Sequence, residues 1–288
     1  MQLGRRDHDV PTSDREEFVA YQCGPLRGIC VRGYEVLDLT AIPWDDLKAS
    51  SDPNHELTKS SRTRRVVRLE FAPSGQPPRV VYAKRVLVAD WRKRIGRLFA
   101  PSKARREWTA GYRLMDMGLA TARPVVCAEL WQGPWLRANF LVTEEIADAR
   151  PLRAELEYLG SGRERRHVLG QVGEWLWQVH CRGFYHDDCS TQHIFVRPTS
   201  LAPVEGRQQF WFIDLDNCRF HRATVPWRRR IKNLFQLLRS IPPRRLSRTD
   251  RLRFLQAYLN VSGEAHRLRR AIARMRRLAR AKKADISF

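Results

Sequence analysis

Tyr185-His186-Asp187-Asp188-Cys189-Ser190-Thr191-Gln192-His193-Ile194-Phe195-Val196 is followed, after a short insert, by Phe210-Trp211-Phe212-Ile213-Asp214-Leu215-Asp216. A carboxylate stands on a turn and a polar ligand follows five residues later. An extended apolar run then leads through a polar hairpin to a second carboxylate, at the end of another apolar run. Phosphoryl transfer from a nucleotide uses such an arrangement. One acid orients the attacking hydroxyl, and the second, with a polar helper, holds magnesium on the phosphates. Taken singly, Asp188 reads as a turn residue capping its own backbone and Asp214 as a solvated acid closing a strand. Taken together, in this order, they favour chemistry.

Outward from this stretch the pattern is helical. Arg163 to Cys181 carries Val168, Leu169, Val172, Leu176 and Val179 at helical spacing, and Gly183 can end that helix. Trp227 to Ser240 reads as a helix stopped by Ile241-Pro242-Pro243, and Thr249 to Leu259 as another. The tail from Glu264 to Ala284 reads as a basic amphipathic helix with Leu268, Ala271, Ile272, Met275 and Ala279 on one stripe.

The first half reads differently. Arg65 to Phe71 alternates as a strand, Pro73-Ser74-Gly75-Gln76-Pro77-Pro78 signals a turn, and Arg79 to Arg85 reads as the returning strand with Lys84 near its end. Ser102 can cap a helix from Lys103 to about Met117, with Gly118 just past its end. Val125 to Glu129 and Ala138 to Thr143 read as two further strands, and Val31 to Leu39 as one or two more. Residues 1–55 read as an N-terminal arm that the sequence assigns neither to the sheet nor to a separate piece.

The chain of 288 residues is 43% hydrophobic, enough for a core, and its formal charge is +22. That excess favours an anionic partner: nucleic acid, an anionic membrane surface or a phosphorylated substrate. Nucleic acid is not expected, because no aromatic interleaving or known module accompanies the arginines. The six scattered cysteines read as reduced, in a cytoplasmic compartment. The first ten residues hold no secretory apolar segment, and no apolar run approaches the roughly 18 residues that span a bilayer. His180, Cys181, His186, Cys189 and His193 match no common zinc spacing.

His186-Asp187-Asp188 with His193 resembles the catalytic loop of the protein-kinase-like fold, and Ile213-Asp214-Leu215 resembles its metal-binding turn. Cys189 after the acid, and His193 where most kinases have Asn, are similar to the bacterial lipopolysaccharide core heptose kinases. With the Kdo kinases these form the lipopolysaccharide kinase family. The likeness runs from about Lys59 to Leu259 and includes Leu141-Val142-Thr143-Glu144-Glu145 and Arg248-Thr249-Asp250-Arg251-Leu252-Arg253-Phe254-Leu255.

The resemblance implies an α+β, two-lobed protein-kinase-like fold. Residues 1–144 would form an antiparallel-sheet N-lobe with one helix, and residues 145–288 a helical C-lobe. It makes Asp188 the catalytic base and Asp214 a metal ligand, with His193 as a second ligand or a hydrogen-bond partner of Asp188. Imidazole suits manganese better than magnesium. It makes Lys84 the lysine on the α- and β-phosphates and Glu107 its partner on a helix. It sets Glu144 and Glu145 where adenine meets the lobe junction, and Ser60 and Ser61 in place of the missing glycine-rich phosphate loop. The implied cofactors are ATP and Mg2+ or Mn2+. The implied partners are a lipopolysaccharide core glycolipid and the anionic cytoplasmic face of the inner membrane, and the implied acceptor is a heptose or Kdo hydroxyl. A protein or small-molecule kinase of the same fold and a pseudokinase binding module stay open.

Overall fold

The computed structural model describes residues 17–45, 56–72, 77–88, 100–160, 162–198, 209–242 and 246–284. Residues 1–16 and 46–55 of the N-terminal arm, the turn residues 73–76 and Pro243, which figure in the expectations above, lie outside them. The chain divides into two compact units, one holding everything up to Asp116 together with Ala122–Ile146, the other Met117–Thr121 and Ala147 onward.

The first unit is built on a sheet of seven strands. These are β1 (Phe18–Cys23), β2 (Leu26–Val31), β3 (Glu56–Ser60), β4 (Arg64–Phe71), β5 (Arg79–Leu87), β6 (Pro124–Gln132) and β7 (Trp135–Glu144), in the spatial order β1-β2-β6-β7-β5-β4-β3. Every neighbouring pair is antiparallel. Alternation explains β4 and β5: Val67, Leu69, Val81 and Ala83 are buried while Arg68 and Tyr82, paired across the ladder, face the other way. β1 and β2 extend the sheet through β6, so residues 17–31 are part of it.

The expected strands between Val31 and Leu39 are instead turns and bends. Tyr34, Leu37, Leu39, Ile42 and Trp44 are all buried there, anchoring an irregular stretch on the core. Its polar groups are met locally: Trp44 Nε1 donates to Leu39 O at 2.9 Å, and the Tyr21 hydroxyl to Leu37 O at 2.6 Å.

Helix α1 (Lys103–Asp116) packs on β6 and β7. Ser102 Oγ accepts from Arg105 N at 3.1 Å, and Asn139 Oδ1 of β7 accepts from Ala104 N at 3.0 Å, so two first-turn amides are satisfied. Gly111 lets the helix approach Pro124; a Cβ there would meet the proline Cγ at 2.6 Å.

The second unit holds α2 (Leu152–Tyr158), α3 (Arg163–Cys181), α4 (Trp227–Ser240), α5 (Arg248–Val261) and α6 (Leu268–Ala281). Two small antiparallel sheets accompany them: β8 (Arg150–Pro151), β10 (Ile194–Val196) and β11 (Phe210–Phe212) form one, β9 (Phe184–His186) and β12 (Cys218–Phe220) the other. The apolar stripe of α3 is buried, as are Phe254, Leu255, Tyr258 and Leu259 of α5, which crosses it at Gly173. α5 starts at a capping box in which Ser247 and Asp250 satisfy each other's backbone amides. Met117–Thr121 joins β11: Phe212 N donates to Ala120 O at 3.1 Å, and Thr121 Oγ1 to Phe212 O at 2.8 Å.

The basic tail is not one helix from Glu264. Gly263 takes φ +69°, a single 3-10 turn covers Ala265–Arg267, and α6 begins at Leu268. Glu264 fixes this break by pairing with Arg230 at 2.7 Å and Arg267 at 2.8 Å.

Candidate active site

In the sheet unit, Lys84 lies on β5 between the buried Ala83 and Arg85, and Glu107 lies on the buried face of α1. Their side chains form an ion pair in which the lysine retains 14% exposure and the glutamate 9%. A pair so far withdrawn from water has a fixed geometry, because neither charge can be left alone cheaply.

Glu144 and Glu145 close β7. Glu144 Oε1 accepts from the Tyr34 hydroxyl at 2.5 Å, Arg79 at 2.5 Å and Arg123 at 3.1 Å. Burial pushes this carboxyl up, but the phenol and the two guanidiniums prevail and hold it below the usual range. Glu145 Oε1 accepts from the Tyr82 hydroxyl at 3.1 Å and from Arg68 at 3.2 Å. Their amides donate to Arg123 O and Val80 O, both at 2.9 Å. Ser60 ends β3, paired with Arg65. Ser61 closes the turn that follows: its amide donates to Arg64 O at 2.8 Å and its hydroxyl accepts from Arg64 N at 3.1 Å.

In the helical unit, the fold brings Asp188, His193 and Asp214 together. His193 Nδ1 lies 2.9 Å from Asp188 O, a carbonyl that can only accept, so Nδ1 carries the proton in that bond. The other ring nitrogen, Nε2, is 3.7 Å from Asp214 Oδ2. Nδ1 is also 3.5 Å from Asp188 Oδ2. The Asp188 side chain is 69% exposed, whereas those of His193 and Asp214 keep only 15% and 16%. Asp214 takes the left-handed backbone, φ +60° and ψ +57°, between β11 and the 3-10 turn Leu215–Asn217. That costs a non-glycine residue energy, which the neighbouring ladder supports. Asp216 is buried in that turn.

His186 is the residue that the motif reading quotes without giving a task. Its Nε2 donates to Ile213 O at 3.1 Å and its Nδ1 accepts from Asp188 N at 3.2 Å, so one ring ties the Asp188 loop to the turn at Asp214. Burial holds its imidazole below the ordinary value, in keeping with a neutral ring that donates on one side and accepts on the other. It stacks on Phe212 at 5.4 Å and on His193 at 5.8 Å. Trp175 of α3 supports the platform from Phe212 at 4.5 Å. Asp187 faces away to Arg219 at 2.9 Å and Lys232 at 3.3 Å. Burial raises its carboxyl, but these two cations bring it below the usual value. The sequence signal for His186 is its place before the acids; its partner Ile213 is far along the chain.

Buried Cys189 behaves as a small core residue, its thiol pushed up to about 12 by burial and then by Asp188.

The family model of the lipopolysaccharide kinase (Kdo/WaaP) family matches residues 52–258. The chain belongs to this family. It is 28% identical to the lipopolysaccharide core heptose(I) kinase WaaP of Escherichia coli K12 over 72% of this chain and 79% of that protein. It is 32% identical to the Pseudomonas aeruginosa protein of the same name over 54% and 59% of the two chains. The solved structure of WaaP in complex with acyl carrier protein aligns with a TM-score of 0.56 at 25% identity, over 83% of this chain and 92% of that one. The fold is therefore the mixed, protein-kinase-like α+β fold of this family, with an antiparallel sheet in one unit and helices in the other.

Proposed function

We propose that this protein is an ATP-dependent kinase that phosphorylates a sugar hydroxyl of the lipopolysaccharide inner core, with a heptose as the acceptor. The carrying observation is that the family match spans 52–258 and so contains Lys84, Glu107, Asp188, His193 and Asp214. Asp188 serves as the base. Its exposed carboxylate is open to an acceptor hydroxyl, while its backbone is held on both sides, by His186 at the amide and His193 at the carbonyl. The carboxylate aligns the hydroxyl and takes its proton on an Oδ atom as the new O–P bond forms and the bond from the γ-phosphorus to the bridging oxygen breaks, with ADP leaving.

Asp214 Oδ2 and His193 Nε2 fit a divalent cation: one carboxylate oxygen and one ring lone pair, both partly buried and facing each other. They would hold the ion, which supplies charge neutralisation at phosphate oxygens when bound. Magnesium accepts the carboxylate, and the imidazole favours manganese. Lys84, held by Glu107, would meet the nucleotide phosphates, and Ser60 and Ser61, at the turn after β3, would supply polar groups toward them. Glu144 and Glu145 stiffen the end of β7 at the adenine.

The anionic cytoplasmic face of the inner membrane suits the α6 surface. Arg269, Arg270, Arg276, Arg277 and Arg280 are exposed there, while Ala271, Met275 and Ala279 are buried in the protein. With its apolar stripe used in folding, α6 would bind by charge and not by insertion, at about 1 kcal/mol per basic residue near the surface. Among the described residues no helix is long and apolar enough to cross a membrane.

The test is transfer of labelled γ-phosphate from ATP to purified core oligosaccharide, with mapping of the labelled sugar. Wild type should label a heptose, and Asp188→Asn should lose about 100-fold or more in kcat. Label on no sugar with either metal, or an active Asp188→Asn protein, would overturn the assignment.

A further inference from the structure

The loop bearing Asp188 is gripped from one side by a single helix. On α4, Asn233, Gln236 and Ser240 fall three and then four residues apart, a spacing that puts them on one face. Asn233 Nδ2 donates to His186 O at 2.7 Å and to Gln236 Oε1 at 3.0 Å. Gln236 Nε2 donates to Asp187 O. Ser240 Oγ accepts from Thr191 N at 2.9 Å. The two carbonyls immediately before Asp188, and an amide three residues after it, therefore end on side chains of α4.

A second layer orients the key amide. Asn233 Oδ1 faces His180 Nε2 at 3.2 Å, and His180 Nδ1 faces the Tyr258 hydroxyl at 2.9 Å. The donor directions are forced. The His186 carbonyl requires the NH2 of Asn233, so the Asn233 oxygen meets His180. That ring must then be protonated on Nε2 and accept on Nδ1 from the tyrosine. Asn233, His180 and Tyr258 each have at most 1% exposure, so water cannot take over any of these bonds. α4 is itself anchored by Ile231, Leu234, Leu237 and Leu238 in the core. None of these five polar residues touches an atom that would react.

We infer that Asn233 and Gln236 are positioning residues for phosphoryl transfer, fixing the main chain ahead of Asp188 so that its largely exposed carboxylate is aimed at the acceptor. The inference rests on the reading of Asp188 as the base. An exposed aspartate has several rotamers, and what limits them is the backbone from which it projects. A reacting group displaced by about 1 Å can lose on the order of 100-fold in rate. Asn233→Asp keeps the shape but turns the donor toward His186 O into an acceptor, setting oxygen against oxygen. Gln236→Ala removes the grip on Asp187 O, together with the acceptor for one Asn233 hydrogen, at a half-buried site and leaves the Asn233–His186 O bond in place.

Both variants should be compared with wild type in two ways on the full-length chain. Steady-state transfer to core oligosaccharide should show kcat down about 100-fold for Asn233→Asp and about tenfold for Gln236→Ala, with KM for ATP within about twofold of wild type. Amide hydrogen exchange of the peptide covering 184–193 should quicken in both, with the β4–β5 hairpin unchanged. Exchange needs no acceptor, so it reads the clamp even if the wild type proves to act on another sugar. Should Asn233→Asp fail to fold, Gln236→Ala decides alone. Unchanged kcat with unchanged exchange at 184–193 would overturn the inference. So would a kcat loss matched by an equal rise in KM.

Discussion

The Lys84–Glu107 pair gives a prediction whose size follows from its burial. With side chains at 14% and 9% exposure, both charges have been taken largely out of water, and they face each other in an ion pair. Removing one partner of such a pair costs about 3–5 kcal/mol, whereas replacing both by apolar groups of similar volume is often neutral or stabilising. Glu107→Leu should therefore lower the stability of the sheet unit by about 3 kcal/mol or more, and its melting temperature by roughly 6–20 °C. Lys84→Met should cost a comparable amount. Lys84→Met/Glu107→Leu together should recover most of that stability while remaining inactive. Thermal scans and urea titrations of the four proteins close the cycle, and transfer from ATP is measured alongside. Two results would refute the reasoning: a double variant as unstable as the sum of the singles, or a double variant that still transfers phosphate.

His193→Asn exchanges an imidazole for an amide oxygen beside Asp214; the ratio of kcat with Mn2+ to kcat with Mg2+ should fall several-fold, and an unchanged ratio would remove His193 from the metal site. Gly173→Ala sets a Cβ 2.8 Å from Phe254 O where α3 and α5 cross, so urea unfolding should show a loss of about 1–3 kcal/mol. Burial, helped by the Arg230 charge, outweighs the Asn233 acceptor and brings the His180 imidazole down to about 4 from 6.5. The unfolded chain therefore takes up the proton first. His180 costs nothing above about pH 6.5, destabilises progressively as pH falls toward 4, and reaches a plateau of about 3 kcal/mol below that. Stability measured at pH 7 and pH 4.5 should fall more for wild type than for His180→Gln, and an equal fall would show that His180 titrates freely in the fold.

Much of the fold could be read along the chain because its periods are local. The α3 stripe from Val168 to Val179 has helical spacing, and Gly183, at φ +85°, ends the helix. The β4–β5 hairpin shows alternation on both arms. Residues 31–39 misled because Tyr34, Leu37 and Leu39 supply core side chains as a strand would, while here they are buried from an irregular backbone of turns and bends. The tail looked continuous because its apolar stripe is regular; the break at Gly263 depends on Glu264 meeting Arg230, far away in sequence.

The same distinction separates the parts of the site. Asp188, His193 and Asp214 lie in two short segments whose types and order are visible together. Asn233 and His180 look, in sequence, like ordinary polar residues interrupting apolar helices. Their meaning lies in partners 47 to 78 positions away, which no local pattern contains.

The small segment Met117–Thr121 bears on how the protein is made. It precedes β11, the strand it bonds to, by 91 residues measured from Thr121 to Phe212. During synthesis α1 and the strands of the sheet unit can associate while this segment still lacks its partner. The helical unit cannot complete β11 until the ribosome has delivered the loop bearing Asp188 and the strand itself. A chain begun at Ala147 would lack Ala120 O and Thr121 Oγ1, leaving Phe212 without both bonds two residues before Asp214. The two units are thus interleaved along the chain, and neither can be cut out as one uninterrupted stretch.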